Sequence, residues 1–218
     1  MERKEIPGPA VERLSLLYRF LEERTAADGP LVSSARLEEL TGIPAHTIRK
    51  DISYLDEEPG KGAGYDPASL RELIRRNLGL GRVRNACIVG LGRLGSALLA
   101  YSGFSGGEFR LAAGFDTSMN RIELLRTDVP LYPAHELERV IERERIELGI
   151  IAVPARAARE TARRMIDAGV RGIINFAPVM VGEKKDGVFV RNISVLGELT
   201  VLSALIAQDD ATRGSPEP

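Results

Sequence analysis

The run Ile88-Val89-Gly90-Leu91-Gly92-Arg93-Leu94-Gly95, with Asp116 closing the next apolar run, has the residue types and spacing to hold a dinucleotide. A strand that stops at Gly90 and a helix that starts near Gly92 turn backbone N–H groups and a positive dipole end toward a pyrophosphate. Each glycine answers a different need. A Cβ at Gly90 would block the tight turn, one at Gly92 would hold the phosphate away, and one at Gly95 would lift the helix from the sheet. Asp116 follows close to the ~20-residue interval expected of an acid that accepts ribose hydroxyls. Its charge would repel a 2′-phosphate and so favours NAD over NADP. A glycine-rich turn without any ligand is the alternative reading.

A second chemistry lies nearer the N-terminus. The segment Pro44 to Leu55 has Ile48, Ile52 and Leu55 on one face and Thr47, Arg49, Lys50, Ser53 and Tyr54 on the others. Arg and Lys reach guanine edges or phosphates, and Ser and Thr bond either, so this is a candidate DNA-reading helix. Residues 1–80 nevertheless carry twelve Lys and Arg against fourteen Asp and Glu. Affinity for DNA must then come from sorting charge, with Arg13, Arg19, Arg49, Lys50 and Lys61 toward phosphate and Glu22-Glu23 and Glu38-Glu39 away. A small helical domain for protein contacts or dimerisation is the competing reading.

The elements that must position these residues are legible from period and caps. Leu14, Leu17, Tyr18 and Leu21 mark the buried face of a first helix with Pro9 in its first turn. A short helix from Ser33-Ser34 to Leu40 is broken at Thr41-Gly42-Ile43, and Pro44 opens the next, which is the helix-turn-helix pattern. Gly60 to Tyr65 fits a hairpin wing with Lys61 at its tip. Asp66-Pro67 opens a helix ending at Gly79, and Gly79-Leu80-Gly81 is the expected domain boundary. Buried strands at Glu147 to Pro154 and Gly172 to Pro178, with a helix from Ala155 to Ala168 between them, continue an α/β alternation. Their carboxyl-end residues, Val153-Pro154 and Asn175 to Pro178, should border the cofactor. The segment Ser194 to Ala207 is apolar on several sides and needs a partner to cover it, while Asp209 to Pro218 is expected to be a disordered tail.

The 218 residues, 44% of them hydrophobic, allow two compact units. No apolar stretch approaches a membrane span, and Met1 to Glu5 lacks a signal-peptide core, so a cytoplasmic protein with no membrane partner is expected. Cys87, the one cysteine, sits inside an apolar strand and reads as a buried structural thiol. His46 and His135, the two histidines, leave little for a metal site or a His-dependent hydrolase, and neither falls where a dehydrogenase needs its proton donor. A ligand-controlled switch that is not an enzyme is expected; an NAD-dependent dehydrogenase and a nucleotide-binding interaction protein that has lost DNA binding are the alternatives.

The chain resembles the Rex redox-sensing transcriptional repressors over roughly Ile6 to Leu205. Matching segments include Arg13-Leu14, Tyr18-Arg19, Val32-Ser33-Ser34, Ile48 to Tyr54, Gly62-x-Gly64-Tyr65, Gly90 to Gly95, Tyr101-x-Gly103-Phe104, Phe115-Asp116, Val153-Pro154 and Asn175-Phe176-Ala177-Pro178. The resemblance implies a winged helix-turn-helix domain over 1–80 and a Rossmann-type, doubly wound parallel-sheet domain over 81–193. It further implies a C-terminal dimerisation helix over 194–208, exchanged between subunits and set between the partner's two domains. Such homodimers hold palindromic operator DNA when NAD+ dominates and release it as NADH rises. Carried over by position, DNA would be met by Arg13, Tyr18, Thr47, Arg49, Lys50, Ser53 and Lys61. NAD(H) would be met by Gly90, Leu91, Gly92, Arg93, Leu94, Gly95, Asp116, Val153, Pro154, Asn175 and Phe176, with Tyr101 near the nicotinamide as part of the switch. Two departures stand out. Ser194 replaces an Asp that many members have, which alters the polar latch to Tyr101, and Asp56-Glu57-Glu58-Pro59 makes the start of the wing acidic.

Overall fold

The protein's computed structural model describes residues 5–23, 30–57, 64–104, 107–182 and 185–213. The chain divides into two compact units between Arg82 and Val83, two residues past the expected boundary.

The first unit is built from α1 (Gly8–Glu23), α2 (Ser34–Thr41), α3 (Ala45–Ile52) and α4 (Pro67–Asn77). Its caps follow the sequence. Ser33 accepts the Arg36 N–H at the start of α2, Gly42 closes that helix at φ 70°, and Asp66 accepts the Ser69 N–H ahead of Pro67. Leu14, Leu17 and Leu21 of α1, Leu37 of α2, Ile48 and Ile52 of α3, and Leu70, Leu73 and Ile74 of α4 share one core. Each such side chain contributes roughly 1.5–3 kcal/mol by leaving water. α3 ends at Ile52, three residues short of expectation, yet Leu55 still turns into that core. Tyr65 pairs with Val32 in an antiparallel bridge and packs against the same cluster, while the wing tip at 58–63, with Lys61, lies outside the described residues.

The second unit contains a wholly parallel sheet of β1 (Arg84–Val89), β2 (Phe109–Asp116), β3 (Leu131–Pro133), β4 (Ile146–Ile151), β5 (Gly172–Asn175) and β6 (Phe189–Asn192), in the order β3-β2-β1-β4-β5-β6. Central strands are apolar on both faces because both are covered. Cys87, Val89, Ala113, Phe115 and Ile151 meet α7 (Leu137–Glu144) and α8 (Ala155–Asp167); Ala86, Ile88, Leu111 and Ile150 meet Leu99 of α5 (Arg93–Leu99), with Phe104 and Phe176 alongside. α6 (Met119–Leu124) follows β2. Strand order reverses between β1 and β4, so the crevice of this doubly wound fold opens at their carboxyl ends.

α9 (Val195–Arg213) has no buried residue. It continues through Asp209, where a disordered tail was expected, and Arg213 pairs with Asp209 one turn back, an arrangement that supports a last helical turn. Among the described residues no helix is long and apolar enough to cross a membrane, and no group of His, Cys, Asp and Glu could hold a metal ion.

Burial pushes the Cys87 thiol up to about 12. Alkylation by iodoacetamide at pH 8 is therefore expected to track global unfolding in a denaturant series; rapid labelling of the native protein would contradict this packing.

Candidate functional site

The glycine run occupies the predicted place. Gly90 follows β1 with φ 97°, and a Cβ there would lie 2.5 Å from the Ala152 carbonyl oxygen and 2.9 Å from Val153 Cγ1. A Cβ at Gly95 would collide with the Gly90 carbonyl oxygen, so α5 rests directly on the turn that precedes it. Gly92 differs. It is the N-cap of α5, makes no side-chain cap, and a Cβ on it would meet nothing within 4 Å. Two of the glycines are thus required by the protein's own backbone, and the third leaves space beside the N–H groups of the first turn. That space and those donors fit a dinucleotide pyrophosphate.

Asp116 is 5% exposed at the end of β2. Its Oδ2 accepts the Leu91 N–H at 2.8 Å and its Oδ1 the Ser118 N–H at 2.8 Å, while Arg121 Nη1 lies 3.2 and 3.3 Å from the two oxygens. Burial alone would push this carboxyl up; the Ser118 and Leu91 N–H groups and the Arg121 guanidinium outweigh it and hold the group below the usual carboxylate range. The acid is therefore ionised and aimed at the glycine loop. Val153 and Pro154 follow β4 beside Gly90, Pro154 opens α8, and the Phe176 N–H donates to the Ile151 carbonyl at 2.9 Å.

Asn175 stands differently from its expected role. It is fully buried, its Nδ2 donates to the Val179 carbonyl at 2.7 Å and Asn192 Oδ1 at 2.8 Å, and its Oδ1 accepts the Ala177 N–H at 3.0 Å. Asn192 in turn exchanges hydrogen bonds with both backbone groups of Val181. The pair clamps the 176–181 loop, with both amide N–H groups of Asn175 and its carbonyl oxygen engaged within the protein. Tyr101 lies just past the C-terminal end of α5, a helix about 10 Å long that Gly92 opens, and is 53% exposed and edge-on to Phe104.

In the first unit α3 presents Arg49 and Lys50 to solvent, with Thr47 half-buried, and Ser53 just past its end is exposed as well. Arg49 Nη1 donates to Ser34 Oγ at 2.8 Å, and Ser53 Oγ donates to the Lys50 carbonyl. Two residues named for DNA are engaged elsewhere. Tyr18 is 6% exposed inside the core, because it shares a helix face with Leu14 and Leu21. Arg13 donates from Nε and Nη2 to both oxygens of buried Asp51, at 2.6 and 2.8 Å, and so ties α1 to α3. Arg13 and Asp51 join Thr47, Lys50, His46 and Tyr54 around a groove of about 330 Å³ beside the start of α1. The acidic residues at the start of the wing are partly compensated, since Glu57 pairs with Arg76 at 3.2 Å.

Sequence reasoning missed Asp51, Ser34, Asn192 and Arg121 as partners, and missed Glu38, whose Oε2 accepts the Ala45 N–H at the start of α3. Only Arg121 had a local signal, a basic residue soon after the acid that ends β2. The Gly95→Ala variant should lower the melting temperature of the α/β unit by several degrees, since overpacking of this kind costs roughly 1–3 kcal/mol. An unchanged melt would mean that α5 can shift away from β1.

A family model described as "CoA binding domain" matches residues 82–179, and one described as "Putative DNA-binding protein N-terminus" matches residues 5–53. The redox-sensing transcriptional repressor Rex of Carboxydothermus hydrogenoformans is 36% identical over 209 residues, 96% of this chain and 100% of that protein. The Rex protein of Pelotomaculum thermopropionicum is 34% identical over 214 residues, 98% of this chain and 100% of its own length. Among solved structures, the Rex-family repressor RSP superposes with a TM-score of 0.82 at 31% identity, covering 97% of this chain and 100% of that one. RSP with β-NAD+ and operator DNA gives 0.83 at 30% identity and 96% of each chain. The fold, the glycine loop and this similarity across nearly the whole length agree: the chain belongs to the Rex family of redox-sensing transcriptional repressors.

Proposed function

We propose that this protein represses transcription according to the NADH/NAD+ balance, holding operator DNA when NADH is low and releasing it when NADH binds. The observation that carries the reading is one chain with a helix-turn-helix exposing Arg49 and Lys50 and a parallel sheet whose switch point is a glycine crevice ending at ionised Asp116. Its relative RSP has been crystallised with β-NADH and with β-NAD+ and operator DNA.

The roles follow from position. Gly92, Arg93 and Leu94 would turn their N–H groups to the pyrophosphate, Asp116 would accept ribose hydroxyls, and Val153, Pro154 and Phe176 would flank the crevice at the strand ends. The nicotinamide ring supplies the redox difference that the protein reads. Asn175 acts by fixing the loop after β5. Tyr101 is the proposed switch residue. Arg49 and Lys50, with Thr47, Ser53 and Lys61, would face DNA, with Arg49 reading a base edge and the lysines meeting phosphate. Arg13 would act through its hold on α3.

The protein would work in the cytoplasm as a homodimer on a palindromic operator. Exposed Val195, Leu196, Leu199, Leu202, Leu205 and Ile206 of α9 support a second copy as its cover, in the exchanged arrangement of the family. Ser194 accepts the Gly197 N–H at 3.0 Å, so the residue in place of the common Asp caps α9.

Fluorescence anisotropy on a palindromic operator should show weaker binding in NADH than in NAD+ at one fixed salt concentration. Equal affinities would sink the redox switch. Arg49→Ala should cost about 1–3 kcal/mol of operator affinity while leaving NADH binding intact; loss of both would make Arg49 a folding residue. Leu202→Glu should shift sedimentation toward a monomer, and a dimer that persists would remove α9 from the interface.

A further inference from the structure

We infer that Arg121 makes the adenosine-ribose end of the crevice tolerant of a ribose phosphate, so that the site also accepts adenosine pyrophosphates phosphorylated on that ribose. The inference rests on the dinucleotide reading proposed above. A lone buried carboxylate at the end of β2 would exclude a 2′-phosphate by like-charge repulsion. Here each carboxylate oxygen already accepts a backbone N–H, from Leu91 or Ser118, and Arg121 Nη1 bridges both at 3.2 and 3.3 Å. The acid and its arginine form a neutral pair, so the repulsion the sequence predicts is largely cancelled.

The same arginine supplies the attraction. Only Nη1 touches Asp116, and among the described residues Nε and Nη2 have no acceptor. The side chain is 54% exposed against 4% for its partner, so the guanidinium lies on the solvent side of the pair. Its contact is long and shared between two oxygens, a geometry that yields readily to a fork of two parallel bonds on a phosphate. The backbone below does not need to move. Arg121 sits in the first turn of α6, where its N–H meets Ser118 Oγ and the Ser118 carbonyl, so a swing of the side chain is sufficient. An ordinary ribose gains nothing from Arg121 and must compete with it for Asp116.

The test uses full-length protein and two probes that differ in where the phosphate sits: NADPH, with a 2′-phosphate, and coenzyme A, with a 3′-phosphate. NADH and NADPH are titrated by nicotinamide fluorescence, coenzyme A by displacement of NADH, on the unaltered chain and on Arg121→Ala and Arg121→Lys, with melting curves for each. The expected result is that Arg121→Ala raises the preference for NADH over at least one phosphorylated probe by about tenfold or more, while Arg121→Lys keeps most of the unaltered ratio. The probe that responds identifies the ribose position Arg121 serves. Unchanged ratios for both probes in a folded Arg121→Ala protein overturn the inference and leave the dinucleotide reading standing. Equal weakening of all three ligands also overturns it, since Arg121 would then only hold Asp116 in place. No NADH binding by the unaltered chain removes the dinucleotide reading itself, and the inference with it.

Discussion

The α/β unit depends on one close approach, α5 resting on the Gly90 carbonyl through a residue with no side chain, Gly95. A helix normally stands off a sheet by the thickness of its side chains. Removing that layer at one point brings the start of α5 down to the turn after β1. The turn itself can be made only with Gly90 at positive φ, because Ala152 and Val153 of the neighbouring strand end fill the space a Cβ would take. Asp116 then pins the loop from the other side through the Leu91 N–H. The turn is thus set by the protein's own backbone contacts rather than by a ligand.

The DNA-reading unit solves a different problem, that of holding an eight-residue helix which carries its cations outward. α3 is too short to be stable alone, and its two core residues, Ile48 and Ile52, are joined by polar contacts. Glu38 of α2 accepts a hydrogen bond from the N-terminus of α3, buried Asp51 receives the fork of Arg13, and Arg49 is steadied by Ser34. Acidic residues that make this unit net negative are thus partly structural. Charge counted along the chain says little about charge presented on one face.

Much of the fold was legible because it is written in local rules. Caps at Ser33, Gly42 and Asp66, the apolar period of α1, and glycines at fixed offsets in the loop need no knowledge of distant contacts. The contacts that the sequence did not foretell share a cause. Tyr18 and Arg13 were assigned to DNA by position in a family pattern, while the period of α1 already placed Tyr18 with Leu14 and Leu21. Arg13 meets an acid 38 residues away, and Asn175 meets Asn192 across two strands, separations no spacing rule reaches. A polar residue at a strand's carboxyl end looks like a ligand group from sequence, but buried amides are as often fasteners for the loop that follows.

α9 runs for 19 residues with every side chain exposed, including a long series of aliphatic ones. A helix of this kind gains little from its own chain, and its order depends on whatever covers it. In the homodimer proposed for this protein, folding and assembly would then be one equilibrium governed by mass action, and the apparent stability would rise with protein concentration. A repressor made in few copies would carry a built-in threshold, a cellular amount below which dilution alone dismantles it.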